Sequence, residues 1–226
     1  MRLKGLFVGQ IASYTCGEIS FDSAMKGKEV LSLEITQSGI IGNEIADKRH
    51  HGGANKAVFA YGIETYAQWE KELGLKIPYG GMGENLLLEG AQESGLRVGD
   101  RLVFDEEVVL EISMPRVQCF KIPSLYPTKE DKNALAKFLF AKGCVGFYLR
   151  VLRGGTISKN ASISIQASQD SISLQFAHQV YQNPNANQEG VRVLLANPKL
   201  AQEFKRNVEE RLKAKDSSLL NWQLAN

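Results

Sequence analysis

The sequence predicts a β-rich α+β chain with a small three-helix segment at its end. Three observations carry this. Short runs rich in β-branched and aromatic residues recur between glycine turns as far as Ile165. Only two stretches in that part repeat apolar residues at helical spacing. After Gln169 the strand pattern stops and three amphipathic segments follow. A chain of 226 residues is long enough for one large domain plus a small one, here 1–168 and 169–226.

Leu6 to Ile11 and Glu29 to Ile35 are short and apolar and read as strands, with a polar connection between them. Ser38 to Asn43, with paired glycines, reads as a turn. Asp47-Lys48-Arg49-His50-His51-Gly52-Gly53-Ala54-Asn55-Lys56 reads as a loop whose glycines let backbone N–H groups approach an anion. Ala57 to Tyr61 is the next strand.

From Ile63 to Leu73, Tyr66, Trp69 and Leu73 share one helical face, with Gly74 placed to cap the end. Tyr79 to Asn85 is a glycine-rich loop ending in Glu84 and Asn85, directly against the apolar run Leu86 to Leu88. A carboxylate in that position needs partners. A strand is expected from Arg101 and another over Val108 to Ile112, which Pro115 stops.

Thr128 is the expected cap of a helix from Lys129 to about Lys142, ended by Gly143. Phe147 to Val151 alternates as a strand, and Ser158 to Ile165 closes the β-rich part. The final helices are expected over Ile172–Tyr181, Gln188–Leu195 and Pro198–Lys213, the last with Asn197 as cap. From Asp170 to Asn226 there are seven Lys/Arg and six Asp/Glu, a balance of +1 that lacks the basic face of a DNA-reading module and suits packing or docking.

The formal charge of +2 gives no global argument for nucleic acid or a membrane surface. Cys16, Cys119 and Cys144 fit neither a CxxC metal knuckle nor a disulfide framework, which favours a reducing compartment. No signal peptide and no apolar run approaching the ~20 residues of a membrane span is present, so a cytoplasmic protein is expected. His50 and His51 are adjacent and would diverge on a strand. There is no HxxxH or HxH pair, no G-x-S-x-G elbow, no P-loop and no Rossmann fingerprint.

The stretch that stands out is Pro115-Arg116-Val117-Gln118-Cys119-Phe120-Lys121. It leaves a strand carrying one thiol between two cations, which favour the thiolate that acts as nucleophile or soft metal ligand. With the His-Gly-Gly loop, the Gly-Glu-Asn loop and a late strand carrying Tyr148 and Arg150, it would suit a large anionic ligand bearing a phosphate and a soft metal.

In order, His51-Gly52-Gly53-x-x-Lys56-Ala57-Val58, Gly83-Glu84-Asn85-Leu86, Val98-Gly99-Asp100 and Pro115-Arg116-x-x-Cys119-x-Lys121 resemble the MOSC domain, the family of the C-terminal part of molybdenum cofactor sulfurase. Order and spacing are similar to the stand-alone bacterial YiiM type, whose three-helix "3-alpha" domain the tail matches. The resemblance implies a β-barrel-like domain that binds the molybdenum cofactor, with Cys119 as molybdenum ligand or sulfur carrier. It also implies reduction of N-hydroxylated substrates such as 6-hydroxylaminopurine, aided by an electron-donor protein (a flavin or iron–sulfur reductase).

Under that resemblance, Arg49, Lys56, Gly52 and Gly53 would hold the cofactor phosphate, with Arg116 and Lys121 beside the thiol. Asn85 would bond the pterin, and Glu84 would pair a cation or fix its loop. His51 is the first candidate for the proton donor, and Arg150 is expected in the pocket wall. Gln118 departs from the small or Ser-Pro pair common before this cysteine, which bears on substrate identity. A persulfide carrier, a cofactor-delivery module and a structural domain remain open. A homodimer is the default assembly for a protein of this size.

Overall fold

The chain opens with β1 (Arg2–Val8), the hairpin β2 (Ala12–Cys16) and β3 (Ile19–Ser23), then β4 (Lys28–Glu29), β5 (Ser32–Thr36), whose residues alternate between exposed and buried, and β6 (Gly39–Ile40). One helical turn, α1 (Lys48–His51), and a 3-10 turn at Ala54–Lys56 lead into β7 (Val58–Gly62), α2 (Ile63–Leu73), β8 (Leu86–Glu89), β9 (Arg101–Phe104) and β10 (Val108–Pro115). There follow α3 (Lys121–Leu125), α4 (Ala134–Lys142), β11 (Phe147–Arg153), β12 (Gly155–Ser158), β13 (Ile163–Gln166), α5 (Leu174–Gln182), α6 (Gln188–Ala196) and α7 (Gln202–Ala214). This computed structural model describes residues 1–169, 171–215 and 217–225. Asp170, Asp216 and Asn226, which the expected bounds and charge balance of the tail include, lie outside the described residues.

Eight strands form one mixed, curled sheet, a half-barrel in the order β13-β9-β10-β11-β7-β8-β1-β4, and β12-β5-β6 forms a second. Every neighbouring pair in the large sheet is antiparallel except β7 and β8. Those two are parallel because α2 carries the chain back across the sheet between them. The expected Tyr66–Trp69 face of α2 is buried; its two rings lie 4.5 Å apart and pack on Tyr61 at centroid distances of 5.7–5.9 Å. Burying rings of this size contributes about 4–6 kcal/mol each at most. The stripe is therefore core, and Gly74 ends the helix in the left-handed conformation at φ 66°.

The strand that carries the Pro115 segment runs through Ser113 and Met114 and ends at Pro115 itself. The connection after Ile11 is a hairpin, whose signal is the alternating Tyr14 and Phe21 around a Gly17-Glu18 turn. Lys129 to Asn133 is not helical. The Thr128 hydroxyl is drawn into a local turn with the backbone of Asp131, so α4 starts only at Ala134. Asn197 likewise accepts from the N–H groups of Lys199 and Leu200 in a turn that delays α7.

The helical tail is bonded to the sheet domain at many points. Ala201 N–H donates to the Ser113 carbonyl at 3.0 Å, and Leu174 N–H to the Leu96 carbonyl at 2.9 Å. Asn55 Nδ2 donates to Glu203 on α7 at 3.0 Å. His178 on α5 is 2% exposed, and its Nε2 lies 2.8 Å from the Phe140 carbonyl.

Burial is the main cause that pushes the His178 imidazole down to about 4 from its ordinary 6.5. Its contribution to stability is therefore complete above pH 6.5 and is lost as the pH falls towards 4. The unfolded chain takes up this proton first, which amounts to about 3 kcal/mol over that window. Comparing wild type with His178→Leu by chemical denaturation should show the difference in unfolding free energy changing by about that amount between pH 7 and pH 4. Parallel curves would refute the assignment. Phe140 O keeps the Gln182 amide in the variant.

Candidate functional site

Three loops that the sequence singles out meet at one cleft. It lies between the segment from Asn43 to Ala57, the glycine loop at Met82 to Asn85, and the turn from Arg116 to Lys121, with Ser23 to Met25 closing one side. The space, measured out to its open mouth, is about 670 Å³. His51, Lys56, Asn85, Arg116 and Lys121 all line it, together with Phe59 and Tyr148.

Arg116 is the centre of this cleft. Its N–H donates to the Gly146 carbonyl at 2.9 Å, which continues the strand pairing one residue past Pro115. Its guanidinium lies over the Phe59 ring, 4.8 Å from the centroid, and Nη1 donates to the Met82 carbonyl at 2.9 Å. The side chain is 4% exposed, yet Nε has no partner. A buried cation that lines a cleft and keeps a donor without a protein partner suits an anionic acceptor.

Two more cations share the lining. Lys56 Nζ donates to the His50 carbonyl at 2.6 Å and lies 5.9 Å from the Tyr148 ring centroid. Burial lowers its ammonium below the usual range, and Glu203 opposes the shift. Lys121 Nζ donates to the Asp22 carbonyl at 2.8 Å and lies over Phe21. Burial first, and then the charges of Arg116, Lys56 and Lys121, push His51 down to about 4. His51 therefore meets neutral pH as an uncharged imidazole.

The two loops around Arg116 are fixed from inside. Glu84 is 1% exposed and accepts from the N–H groups of Gly80 at 2.8 Å and Met82 at 3.1 Å, and from the Tyr66 hydroxyl. Burial raises its carboxyl above the usual range. These partners answer the carboxylate that the sequence places against an apolar run, and they shape the loop whose Met82 carbonyl holds Arg116. Asn85 Oδ1 accepts from Phe59 N–H at 3.0 Å, while Nδ2 donates to the Phe7 carbonyl and to Asn43. Both hydrogens of the Asn85 amide are thus committed within the protein, and its described role is to join three chain segments at the cleft floor.

The remaining expected residues fall in different places. Cys119 is half-buried on the turn and is not among the residues lining the cleft. Arg49 is exposed on α1, outside the lining. His50 and His51 sit on α1 and not on a strand. His50 bonds Asp47 at 2.7 Å, while His51 faces the cleft.

The Gly52 N–H closes α1 onto the Lys48 carbonyl at 3.0 Å, so it is not free for an anion. A Cβ at Gly52 would meet that same carbonyl at 2.5 Å, which explains the glycine. Gly53 turns the chain at φ 103° and lies outside the lining. Arg150 is not in the pocket wall. Its Nη2 donates to the Lys199 carbonyl and Nη1 lies 3.8 Å from Glu111, so it ties the sheet to the tail.

Ser23 to Met25 and Asn43 to Ala46 line the cleft without any sequence motif that points to them. Phe59 reads as part of a strand and Met82 as part of the glycine-rich loop, and only the fold brings both to Arg116.

This donor set can hold an anion with a planar or phosphate-bearing end, and the turn that bears Cys119 adjoins it between Arg116 and Lys121. Among the described residues, no group of three or more His, Cys, Asp or Glu could hold a metal ion. A single Cys therefore suits a metal that arrives already chelated by its own ligand. No helix among the described residues is long and apolar enough to cross a membrane.

Residues 47–164 match the family model of the MOSC domain. The chain is 31% identical over 182 residues to the uncharacterized protein YflK of Bacillus subtilis (strain 168), covering 80% of each. It is 26% identical over 209 residues to the protein YiiM of Escherichia coli (strain K12), covering 91% of this chain and 90% of that one. A Gibberella moniliformis (strain M3125 / FGSC 7600) protein named "Reductase" is 32% identical over 131 residues, 57% of this chain and 22% of its own length. Crystal structures of YiiM from Geobacillus stearothermophilus and from Escherichia coli share the fold, with TM-scores of 0.73 and 0.70. Their identities are 22% and 21%, over 93% and 100% of this chain and 98% and 100% of theirs. Three of the four motifs met in sequence order close on one cleft within the matched region, while Val98-Gly99-Asp100 lies away from it, bonded to Ser168 and Ile172; the chain belongs to the MOSC domain family, as a protein of the YiiM type.

Proposed function

We propose that this protein holds the molybdenum cofactor in the Arg116 cleft and reduces N-hydroxylated compounds, such as N-hydroxylated purine bases. The observation that carries the reading is the buried Arg116 guanidinium with a free Nε, flanked by Lys56 and Lys121 and next to the turn bearing Cys119. Arg116, Lys56 and Lys121 would answer the phosphate. Cys119 would add its sulfur to the metal. When bound, the molybdenum centre supplies the two electrons that cleave the N–O bond.

The reaction balances as R–NHOH plus two electrons and two protons giving R–NH2 and water. The electrons come from a partner of the flavin or iron–sulfur class. The fungal relative, named a reductase, carries its segment similar to this chain within a much longer one, which supports such a pairing.

His51 offers a lone pair or an N–H at neutral pH, and not an imidazolium proton, because burial and three cations hold it neutral down to about 4. An anion bound among those cations offsets their field and raises the His51 midpoint.

The test is molybdenum and pterin content after expression in a host that makes the cofactor. Near-stoichiometric molybdenum in wild type, lost in Cys119→Ala together with turnover of a hydroxylaminopurine, is the expected result. Metal-free protein in both would end this reading. Extra sulfur on Cys119 by mass spectrometry, without turnover, would put the persulfide carrier in its place.

A further inference from the structure

We propose that the segment Leu220–Ala225, far from the MOSC-matched residues in sequence, is part of the Cys119 site, with Gln223 as the residue that positions the thiol. This deepens the cofactor reading and rests on it for what the thiol does, though not for how it is held.

The argument begins with the turn itself. After Arg116 the chain has left β10, and α3 begins only at Lys121. On either side of Cys119 one backbone group is therefore answered by neither strand nor helix: the Gln118 carbonyl and the Phe120 N–H. Both are answered by the tail. Gln223 Nε2 donates to the Gln118 carbonyl at 3.3 Å, and Phe120 N–H donates to the Trp222 carbonyl at 3.1 Å. The residues before and after the thiol are thus gripped by consecutive residues roughly a hundred positions away.

The grip is itself anchored. Gln223 is 0% exposed, and its Oε1 accepts from Leu220 N–H at 3.0 Å, so both ends of the amide are engaged. Beyond it, Asn133 ahead of α4 holds Ala225 twice, accepting from its N–H at 2.7 Å and donating to its carbonyl at 3.3 Å. The Gln118 amide donates to the Ala136 carbonyl of α4 at 3.1 Å, so the same helix region holds both strap and turn. Plain packing of a chain end buries apolar side chains. Here the ring of Trp222 stays 48% exposed, while the backbone and one buried amide make the contacts. A buried backbone group left unanswered is strongly unfavourable, so the turn stays in place only while the strap does. Small displacements of a reacting atom have large effects on rate, which gives the strap a catalytic consequence.

The test uses the full chain with Cys16→Ser, so that iodoacetamide reports Cys119 while the buried Cys144 stays silent. In Gln223→Met, Cys119 alkylation and Phe120 amide exchange are both expected to accelerate about tenfold. The Arg116 amide, bonded to Gly146, should keep its protection. Val191→Ala, a buried change on α6 away from the strap, is the stability control. It should lower the Tm and leave Cys119 alkylation at the wild-type rate.

In cofactor-loaded protein, Gln223→Met should lower kcat while molybdenum content and KM hold. Unchanged alkylation and Phe120 exchange in Gln223→Met would overturn the proposal. So would equal acceleration in Val191→Ala at matched Tm loss. Because the labelling arm needs no cofactor, a protein that never takes up molybdenum would end the functional reading and still decide this one.

Discussion

Replacing Arg116 with Met is expected to leave the fold within about 1–2 kcal/mol of wild type while weakening phosphate binding roughly 30- to 150-fold. The two effects separate because the side chain does two things. Its aliphatic stem and its stacking on Phe59 are packing, which Met largely keeps. The guanidinium is a buried cation beside two lysines, and replacing such a group with an apolar one of similar length is often neutral or stabilising. The lost bond to the Met82 carbonyl works the other way.

What Met cannot replace is the forked donor set, whose charge-assisted bonds to an anion contribute about 2–3 kcal/mol. His51 serves as the reporter. Its ring signals, followed by NMR as inorganic phosphate is added, give both the dissociation constant and the titration midpoint. In the variant that midpoint should rise from about 4 and still stay below 6.5, because burial is its largest cause and the Arg116 charge only the second. A loss of stability above about 3 kcal/mol with unchanged phosphate affinity would make Arg116 a structural residue.

The second large effect is at Arg211. It is 0% exposed, and its guanidinium lies 4.9 Å from the centroids of both Phe140 and Tyr181. Nε donates to the Gln182 carbonyl at 3.2 Å and Nη2 to the Ser218 carbonyl. One side chain thus joins α7, the end of α5, a ring of α4 and the segment that leads to the strap. Arg211→Ala removes two desolvated cation–π contacts and the guanidinium bonds to the Gln182 and Ser218 carbonyls. A loss of about 3–5 kcal/mol is expected, read as a Tm roughly 10 °C lower. Arg211→Lys should recover little, because an ammonium lacks the planar fork that meets two rings and two carbonyls together. A Tm within about 2 °C of wild type for Arg211→Ala would show that the neighbouring rings close the gap by themselves.

Several elements were legible because their causes are local. α2 follows from the spacing of Tyr66 and Trp69 and from the left-handed glycine behind them. β7, β9 and β11 follow from short apolar runs between turns, and the strand end at Pro115 follows from a missing N–H. The meeting of His51, Lys56, Asn85, Arg116 and Lys121 at one cleft agrees with motifs that can be listed from sequence, since each sits at the end of a strand or in a loop between two.

Other features depended on partners distant in sequence. Arg150 has the residue type and strand position of a pocket residue, but the Lys199 carbonyl, in the turn ahead of α7, takes its guanidinium. Gly52 has a free-looking N–H until α1 closes on it. Thr128 and Asn197 carry cap chemistry that neighbouring backbone uses for turns. Most of all, the tail reads in sequence as a separate helical module, since its internal periodicity is complete. Only the folded chain shows Glu203 bonded to the Asn55 loop and Gln223 bonded beside Cys119. Residue type and spacing determined the strands, the principal helix and the cationic motifs, because propensity and periodicity act over a few residues. Which donors stay free and which are consumed was decided by tertiary structure, because a hydrogen bond depends on where the far end of the chain comes to rest.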